Sequence, residues 1–257
     1  MMSQLQVVNV ILISVSAMLG ASFGSFVNAA SMRYAAGRGF VTGRSSCPFC
    51  GRVLPWYDLI PLVGWLLLAG RCRGCKAGIS VRYWLAEVCA AGAFALCYIT
   101  FGFATLTLAA MAAFSVLMAI SLIDLETMEI PDGLNIAMAV IAVVWIWLEP
   151  EMSLVSRVIG FFAVSGFMLA VALAIPGAFG GGDIKLMAAC GVMLGWQGVL
   201  LAFFVAVFLG GSYALWMMIA FKRRGQMVFG PALCLGVFAS LLYGDAVLEW
   251  YFELLRL

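Results

Sequence analysis

The sequence predicts an all-α, polytopic membrane protein with about eight transmembrane helices and one small domain outside the membrane. Hydrophobic residues fill 65% of the 257 positions and charged residues only 10%, whereas a water-soluble domain carries roughly 25% charged residues to solvate its surface. The hydrophobic residues also fall into runs near the length of about 20 residues that a helix needs to cross a bilayer core. An ordinary soluble globule is therefore excluded.

Eight apolar runs, bounded by charges, glycines or prolines, are the predicted spans. The first has no basic residue before it and is too long for a cleaved signal, so we expect a retained helix. The fourth and sixth runs are the shortest. The predicted spans cover residues 5–30, 83–100, 103–123, 134–148, 154–175, 184–196, 199–221 and 228–243.

The positions of the basic residues predict the orientation of these spans. If the N-terminus lies outside, twelve of the 14 lysines and arginines fall in cytoplasmic loops, as the positive-inside rule requires. An even number of spans returns the C-terminus to the outside. We therefore expect residues 1–30 to form the first transmembrane helix, 31–82 a small cytoplasmic domain, and 83–257 a membrane core of about seven helices.

The predicted cytoplasmic domain contains two CxxC pairs, Cys47 with Cys50 and Cys72 with Cys75. Two such turns facing each other give a tetrahedral four-sulfur zinc site. The alternative is two disulfides, which the reducing side of the membrane disfavours. Because a domain of about 50 residues has little core of its own, a structural metal would supply much of its stability.

The sequence contains no histidine, and this excludes several kinds of chemistry. Serine and cysteine nucleophiles activated by histidine, histidine metal sites and imidazole proton shuttles are all ruled out. Any chemistry would then fall to carboxylates, thiols or the backbone. The net charge of +2 is too small to indicate a nucleic-acid partner.

Asp124 is the first carboxylate of interest because it directly follows an apolar run and ends the predicted third span. A carboxylate at that point opposes the negative end of the helix dipole, and no lysine or arginine lies nearby in the sequence to pair with it. The alternative is a solvated loop acid, since Glu126 and Glu129 follow closely. Acids at a membrane edge are costly, and this favours a functional role for Asp124.

Asp183 is the second carboxylate of interest, and it follows three consecutive glycines at the start of the predicted sixth span. Its alternative role is a helix N-cap. The glycines would let an extended peptide approach closely. By the predicted topology, Asp124 and Asp183 reach the same cytoplasmic boundary, where two carboxylates can share one proton. This is the chemistry of an aspartyl hydrolase, in which the ionised carboxylate activates water and the protonated one polarises the scissile carbonyl.

Taken together, the motifs resemble those of bacterial type IV prepilin peptidases, the leader peptidases and N-methyltransferases of the GxGD aspartic protease family. The resemblance rests on the order of six stretches along the chain: GSFVN at 24–28, the two CxxC pairs, DLETMEIPD at 124–132, GGGDIKL at 180–186 and FGPAL at 229–233. It implies an enzyme of the inner membrane that removes the short basic leader of type IV prepilins or type II secretion pseudopilins at the cytoplasmic face. It also implies that Asp124 and Asp183 are the catalytic pair.

The resemblance implies a second activity, methylation of the newly exposed N-terminal amine with S-adenosylmethionine as donor. The segment from Pro55 to Glu87 is similar to the family loop linked to that activity. Glu87 is therefore a candidate contact for the methyl donor or the amine, and its alternative role is an interfacial acid near Arg82.

Two other functions stay open at this point. One is a GxGD intramembrane protease related to signal peptide peptidase or presenilin, but those enzymes lack the four-cysteine domain. The other is a membrane assembly scaffold or transporter without enzymatic activity, although transporters usually place their acids near the membrane midplane. Besides membrane lipid, the expected partners are prepilins or pseudopilins, and the sequence does not distinguish between these two.

Overall fold

A computed structural model describes residues 4–37, 45–221 and 228–255 of the chain. The described residues are helical and form no β-strand, apart from two isolated bridges. A short 3-10 helix at Trp56–Leu59 accompanies eight α-helices. These are α1 (Gln4–Ala35), α2 (Val63–Leu67), α3 (Val81–Phe101), α4 (Thr105–Thr127), α5 (Asp132–Leu148), α6 (Leu154–Ala174), α7 (Gly181–Phe221) and α8 (Gly230–Leu255).

Six of the described helices are long and apolar enough to cross a membrane, namely α1, α3, α4, α6, α7 and α8. The helix α5 is also apolar but has only 17 residues. The prediction of an all-helical, multi-pass membrane protein is therefore confirmed. The predicted number of eight spans is not confirmed, since about six of the described helices qualify as candidate spans. The chain divides into two compact units, residues 1–107 and 108–257.

In the first unit, α1 and α3 pack closely in antiparallel directions. A Cβ atom added at Gly20 would overlap the carbonyl oxygen of Ala90, and one added at Gly24 would overlap that of Ala86. These two glycines form a GxxxG pair, which lets membrane helices approach backbone to backbone. The absence of side chains at Gly20 and Gly24 therefore sets the register of α1 against α3.

Two short turns hold the cysteine-rich part of the first unit. The backbone N–H of Gly51 donates to the carbonyl of Cys47 at 2.9 Å, and the N–H of Lys76 donates to the carbonyl of Cys72 at 2.9 Å. Each CxxC pair is thus folded into its own turn, as the sequence predicts. Isolated bridges, Ser46 with Val53 and Arg71 with Gly78, close the two turns.

An ion pair joins the second of these turns to the 3-10 helix. The Arg73 guanidinium lies 2.8 Å from the carboxylate of Asp58, whose side chain is only 3% exposed. The same guanidinium lies over the ring of Tyr57, 5.5 Å from its centroid. Because Arg73 stands between Cys72 and Cys75 in the sequence, the fold of the second CxxC turn is coupled to the segment before α2.

In the second unit, α7 is the helix against which α5, α6 and α8 all pack. It runs for 41 residues but has a non-helical residue inside it, Gly195, with φ 69° and ψ 178°. That φ is in the left-handed region, which glycine adopts without steric cost. The predicted sixth and seventh spans both lie within α7, and the interruption falls at Gly195 rather than between 196 and 199.

Arg157 lies beside this interruption and is nearly fully buried, with 2% of its surface exposed. The sequence predicts Arg157 near the outer end of the span 154–175, and its guanidinium donates to the carbonyls of Val192, at 3.1 Å, and Glu149, at 2.5 Å. A broken helix leaves carbonyl groups without their usual donors. Arg157 therefore donates a hydrogen bond to a carbonyl group at the helix end that Gly195 creates.

Candidate active site

Asp124 lies in the last turn of α4 and is buried, with 6% of its surface exposed. Its Oδ2 atom accepts a hydrogen bond of 2.9 Å from the backbone N–H of Gly230, the first residue of α8. The first N–H groups of a helix have no partner within the helix and favour a negative charge. The carboxylate that lacks a partner near it in the sequence is therefore held by the start of a distant helix.

Gly230 is close to Asp124 because it has no side chain. A Cβ atom added there would overlap Oδ2 of Asp124 and would lie 2.9 Å from its Cγ atom. The stretch FGPAL thus begins α8 with the one residue type that lets the backbone reach this carboxylate. Sequence reasoning quoted that stretch as part of a resemblance but assigned no role to Gly230.

Asp183 lies in the first turn of α7 and is half-buried. Its Oδ2 atom accepts a hydrogen bond of 3.3 Å from the backbone N–H of Gly180. The carbonyl of Gly182 accepts one of 3.3 Å from the amide of Asn135 on α5. Asp183 is therefore the third residue of α7 rather than its N-cap, and its carboxylate reaches back to the N–H of Gly180, on a glycine segment that α5 holds in place.

The structure brings Asp124 and Asp183 together. The two carboxylates lie close enough to act on each other electrostatically, and both act on the buried thiol of Cys234 on α8. The site thus forms where the end of α4 and the starts of α7 and α8 converge. In the sequence Cys234 lies within the apolar run 228–243, which gives no signal that this thiol is beside the carboxylates.

The four predicted zinc ligands also come together, in the first unit. The Sγ atoms of Cys47, Cys50, Cys72 and Cys75 all lie within 4.8 Å of one another, and those of Cys47 and Cys75 are 3.7 Å apart. Tetrahedral zinc with Zn–S bonds of about 2.3 Å places its sulfur atoms about 3.8 Å apart. No disulfide joins these cysteines, so the cluster fits a four-thiolate metal site.

Backbone hydrogen bonds prepare two of these thiols to act as ligands. The N–H groups of Cys75 and Gly74 lower the pKa of the Cys72 thiol to about 6. The N–H groups of Cys50 and Phe49 likewise lower the pKa of Cys47. Because the thiolate is the form that binds a metal, the backbone of each turn favours ligation by Cys47 and Cys72. At Cys75 the backbone N–H of Ala77 also lowers the pKa, but burial and the three neighbouring thiols outweigh it and raise the pKa to about 11.

Glu87 lies on α3 and is buried, with 7% of its surface exposed. Its Oε2 atom accepts a hydrogen bond of 2.6 Å from the backbone N–H of Leu62. Leu62 has a φ of 65°, which is uncommon for a residue with a side chain. Glu87 therefore fixes the backbone before α2, in the segment that the sequence links to methyl transfer.

Fold and site together define a multi-pass helical membrane protein with a pair of interacting carboxylates and a separate four-cysteine cluster. Residues 18–101 match the family described as the bacterial Peptidase A24 N-terminal domain. Residues 111–215 match the family described as the type IV leader peptidase family. The chain belongs to the type IV leader peptidase family.

Several curated proteins named prepilin leader peptidase/N-methyltransferase are similar to the chain over most of its length. The one from Bacillus subtilis is 31% identical over 245 residues, which cover 95% of this chain and 99% of that protein. The one from Aeromonas hydrophila is 36% identical, covering 81% and 74% respectively. The one from Legionella pneumophila is 30% identical, covering 81% and 75%. No solved structure gives a significant match.

Proposed function

We propose that the protein is a membrane aspartic endopeptidase that removes the leader of type IV prepilins or type II secretion pseudopilins and then methylates the new N-terminal amine. The observation that carries the proposal is that Asp124 and Asp183 lie close enough to act on each other electrostatically, in a chain without histidine. Membership of the type IV leader peptidase family and the names of the similar proteins support it.

The carboxylate pair would perform the hydrolysis directly. The ionised carboxylate takes a proton from water, which attacks the scissile carbonyl, while the protonated carboxylate donates a hydrogen bond to the carbonyl oxygen. The proton taken from water then passes to the amide nitrogen, and the C–N bond breaks to release the leader's new carboxyl group and the new N-terminal amine. Asp124 and Asp183 each use Oδ2 to accept a backbone hydrogen bond. Among the described residues, no hydrogen bond involves Oδ1 of either carboxylate, so both atoms are available for water or substrate.

The direct test uses the purified full chain in detergent with a prepilin. We expect the substrate to lose its leader, and a mass spectrum of the product's N-terminus to show a methylated amine. A substrate that stays intact would overturn the peptidase assignment. A cleaved product that stays unmethylated in the presence of S-adenosylmethionine would overturn the second activity alone.

The same proposal includes an inner-membrane location with eight crossings and the active site at the cytoplasmic face. A straight helix of 41 residues would be about 61 Å long, twice the thickness of a bilayer core of about 30 Å, which favours two crossings within α7 on either side of Gly195. If α5 and α6 also cross, the end of α4 and the start of α7 reach the same face. The positive-inside rule makes that face cytoplasmic, although the basic residues Arg38, Arg44 and Lys222 to Arg224 lie outside the described residues.

Gly230→Ala tests the contact between α8 and the first carboxylate. The added methyl group would force Asp124 to move, so we expect leader cleavage to fall by about 100-fold or more, the cost that misplacing a reacting group carries. The measurement is the initial rate of leader removal by equal amounts of purified protein.

Gly166→Ala is the matched control for this variant. Gly166 lies on α6, and an added Cβ would meet nothing within 4 Å, so its rate should equal that of the wild type. Equal rates for the Gly230 and Gly166 variants would show that the backbone at Gly230 does not position Asp124 for cleavage.

Zinc is the metal that we propose for the four-cysteine cluster. Four thiolates complete a tetrahedral site and leave no position for water, so the metal would be structural. Cys47, Cys50, Cys72 and Cys75 would hold it and would thereby join the two turns within the cytoplasmic domain predicted over residues 31–82. Through its ion pair with Asp58, Arg73 would also hold the segment before α2 in place.

S-adenosylmethionine would supply an electrophilic methyl group when bound, and we propose that the region around the start of α3 holds it, with Glu87 as one contact. Binding such a polar molecule requires hydrogen-bonding groups, and this region has several that are unused. The side chains of Asn28 and Ser31 and the Nε1 atom of Trp84 are buried and have no hydrogen-bond partner among the described residues. Asn28 and Ser31 continue the stripe of Gly20 and Gly24 that faces α3.

The double variant Asn28→Ala, Ser31→Ala tests this placement. Two hydrogen bonds of about 1 kcal/mol each are lost, so binding of S-adenosylmethionine should weaken by about 10-fold or more. The Tm of the ligand-free protein should stay the same or rise, because buried polar groups without partners cost stability.

The readout is equilibrium binding of labelled S-adenosylmethionine to the full chain, with Ser22→Ala as the control. Ser22 lies on the same helix, and its hydroxyl donates to the Met18 carbonyl at 3.0 Å. Unchanged binding by the double variant, or a large loss of Tm, would assign Asn28 and Ser31 a purely structural role.

A further inference from the structure

A groove runs along the second unit between α5 and α6, with α7 as its floor. It consists of a cavity of about 620 Å³ and a smaller one of about 230 Å³. The two cavities share the lining residues Phe161 and Val192 and therefore adjoin each other. Both α5 and α6 pack on α7, which leaves the space between them open along the surface of the unit.

The dimensions and lining of this groove suit an apolar helix. On α5 its lining extends from Asp132 to Ile146, a distance of about 21 Å along a helix. Small residues line its middle, Ala139 and Ala142 on α5 and Ala188 on α7. Small side chains let another helix approach closely within a membrane.

One end of the groove is polar and adjoins the carboxylate site. Asp132 and Lys185 pair there at 2.6 Å, and Lys185 is two residues after Asp183. Asn135 lines the same end and is 6% exposed. Its amide nitrogen donates to the Gly182 carbonyl, but its Oδ1 atom has no hydrogen-bond partner among the described residues.

This unused oxygen indicates that the groove receives a peptide rather than a lipid chain. A peptide that leaves helical conformation before hydrolysis exposes backbone N–H groups, and each needs an acceptor inside the membrane. Asn135 lines the groove and has such an unused acceptor, buried next to the glycine segment that precedes Asp183. An acyl chain has no donor for it.

We propose that this groove, lined by α5, α6 and α7, binds the apolar membrane segment of the substrate. The bound segment then places its own end at the carboxylate pair. The inference rests on the proposed peptidase function. Because the expected leader is short and basic, the apolar segment must belong to the part of the substrate that follows the scissile bond. The groove then determines which membrane proteins are cleaved, and the carboxylates carry out the cleavage.

Ala139→Trp tests the proposal by filling the middle of the groove. Two substrates are compared, a full-length prepilin and a short leader peptide that spans the scissile bond but lacks the apolar segment. We expect the KM for the full-length substrate to rise at least 10-fold and the KM for the short peptide to stay unchanged. Val140→Trp is the matched control, because Val140 is the next residue on α5, is 57% exposed and does not line the groove.

Equal effects of Ala139→Trp on both substrates, or no effect on either, would overturn the proposal. A wild-type enzyme that cleaves neither substrate would instead overturn the proposed function itself. If the tryptophan variant does not accumulate, a photo-crosslinking side chain at position 139 replaces it. Crosslinks to the apolar segment of the substrate at 139 but not at 140 would support the groove, and crosslinks to lipid alone would contradict it.

Discussion

Asp124→Asn and Asp183→Asn are each expected to abolish leader cleavage, with a loss of about 10⁴-fold or more in single-turnover rate, as is typical when one member of a catalytic unit is removed. Asparagine has the shape of aspartate and keeps an oxygen that can accept the backbone hydrogen bonds from Gly230 and Gly180. What it loses is the ability to take up and return a proton. The protein should therefore still fold and insert while its chemistry stops.

The double variant tests the carboxylate pair in a way that the single variants do not. Because both carboxylates serve one proton-transfer cycle, the double variant should be no slower than either single variant. Asp245→Asn is the control, since Asp245 is an exposed carboxylate on α8 and should leave the rate unchanged. Cleavage by either single variant at a rate near the wild type would end the assignment of the pair.

The sequence predicts the helices well because the bilayer imposes their length. The predicted span 154–175 and the helix Leu154–Ala174 agree within one residue. Errors arise where a local signal competes with packing. The glycine and acid after Tyr243 suggest an end, but α8 continues to Leu255. The acids at 245, 249 and 253 recur every four residues, so they share one face of the helix and do not interrupt it.

The site is harder to predict because its contacts join residues that are distant in the sequence. Asp124 has no neighbouring base, and this suggests an unpaired charge, yet its partner is the backbone N–H of Gly230, 106 residues away. A search for lysine or arginine cannot find a backbone donor. The same holds for Arg157, whose partners are the backbone carbonyls of Val192 and Glu149.

The cysteine cluster is the opposite case, because spacing alone predicts which residues meet. A CxxC pair must turn back on itself to bring both sulfur atoms to one side, so two pairs in a small domain have few other arrangements. The four Sγ atoms do lie within 4.8 Å of one another. What the spacing could not predict is the link through Arg73 to Asp58, which ties the cluster to the backbone that Glu87 holds.

Because of that link, we expect Cys72→Ser to have the second large effect. Binding of zinc by four thiolates contributes about 10 kcal/mol or more to the folding of a small domain, so the loss of one ligand should release the metal and unfold the turns around it. Since Arg73 lies next to Cys72, the contact with Asp58 and then the segment at Leu62 should lose their order. We expect zinc content to fall from one atom per chain to none, and residues 45–80 to become sensitive to protease.

The two activities should then respond differently to this variant. Binding of S-adenosylmethionine should be lost, because Glu87 and the start of α3 no longer meet an ordered segment at Leu62. The carboxylate pair belongs to the other compact unit and keeps its contacts with Gly180 and Gly230, so cleavage of a short leader peptide should persist. Cys89→Ser, an exposed cysteine on α3 outside the cluster, is the control for thiol loss. Full zinc content and protease resistance in Cys72→Ser would show that the cluster does not hold the domain together.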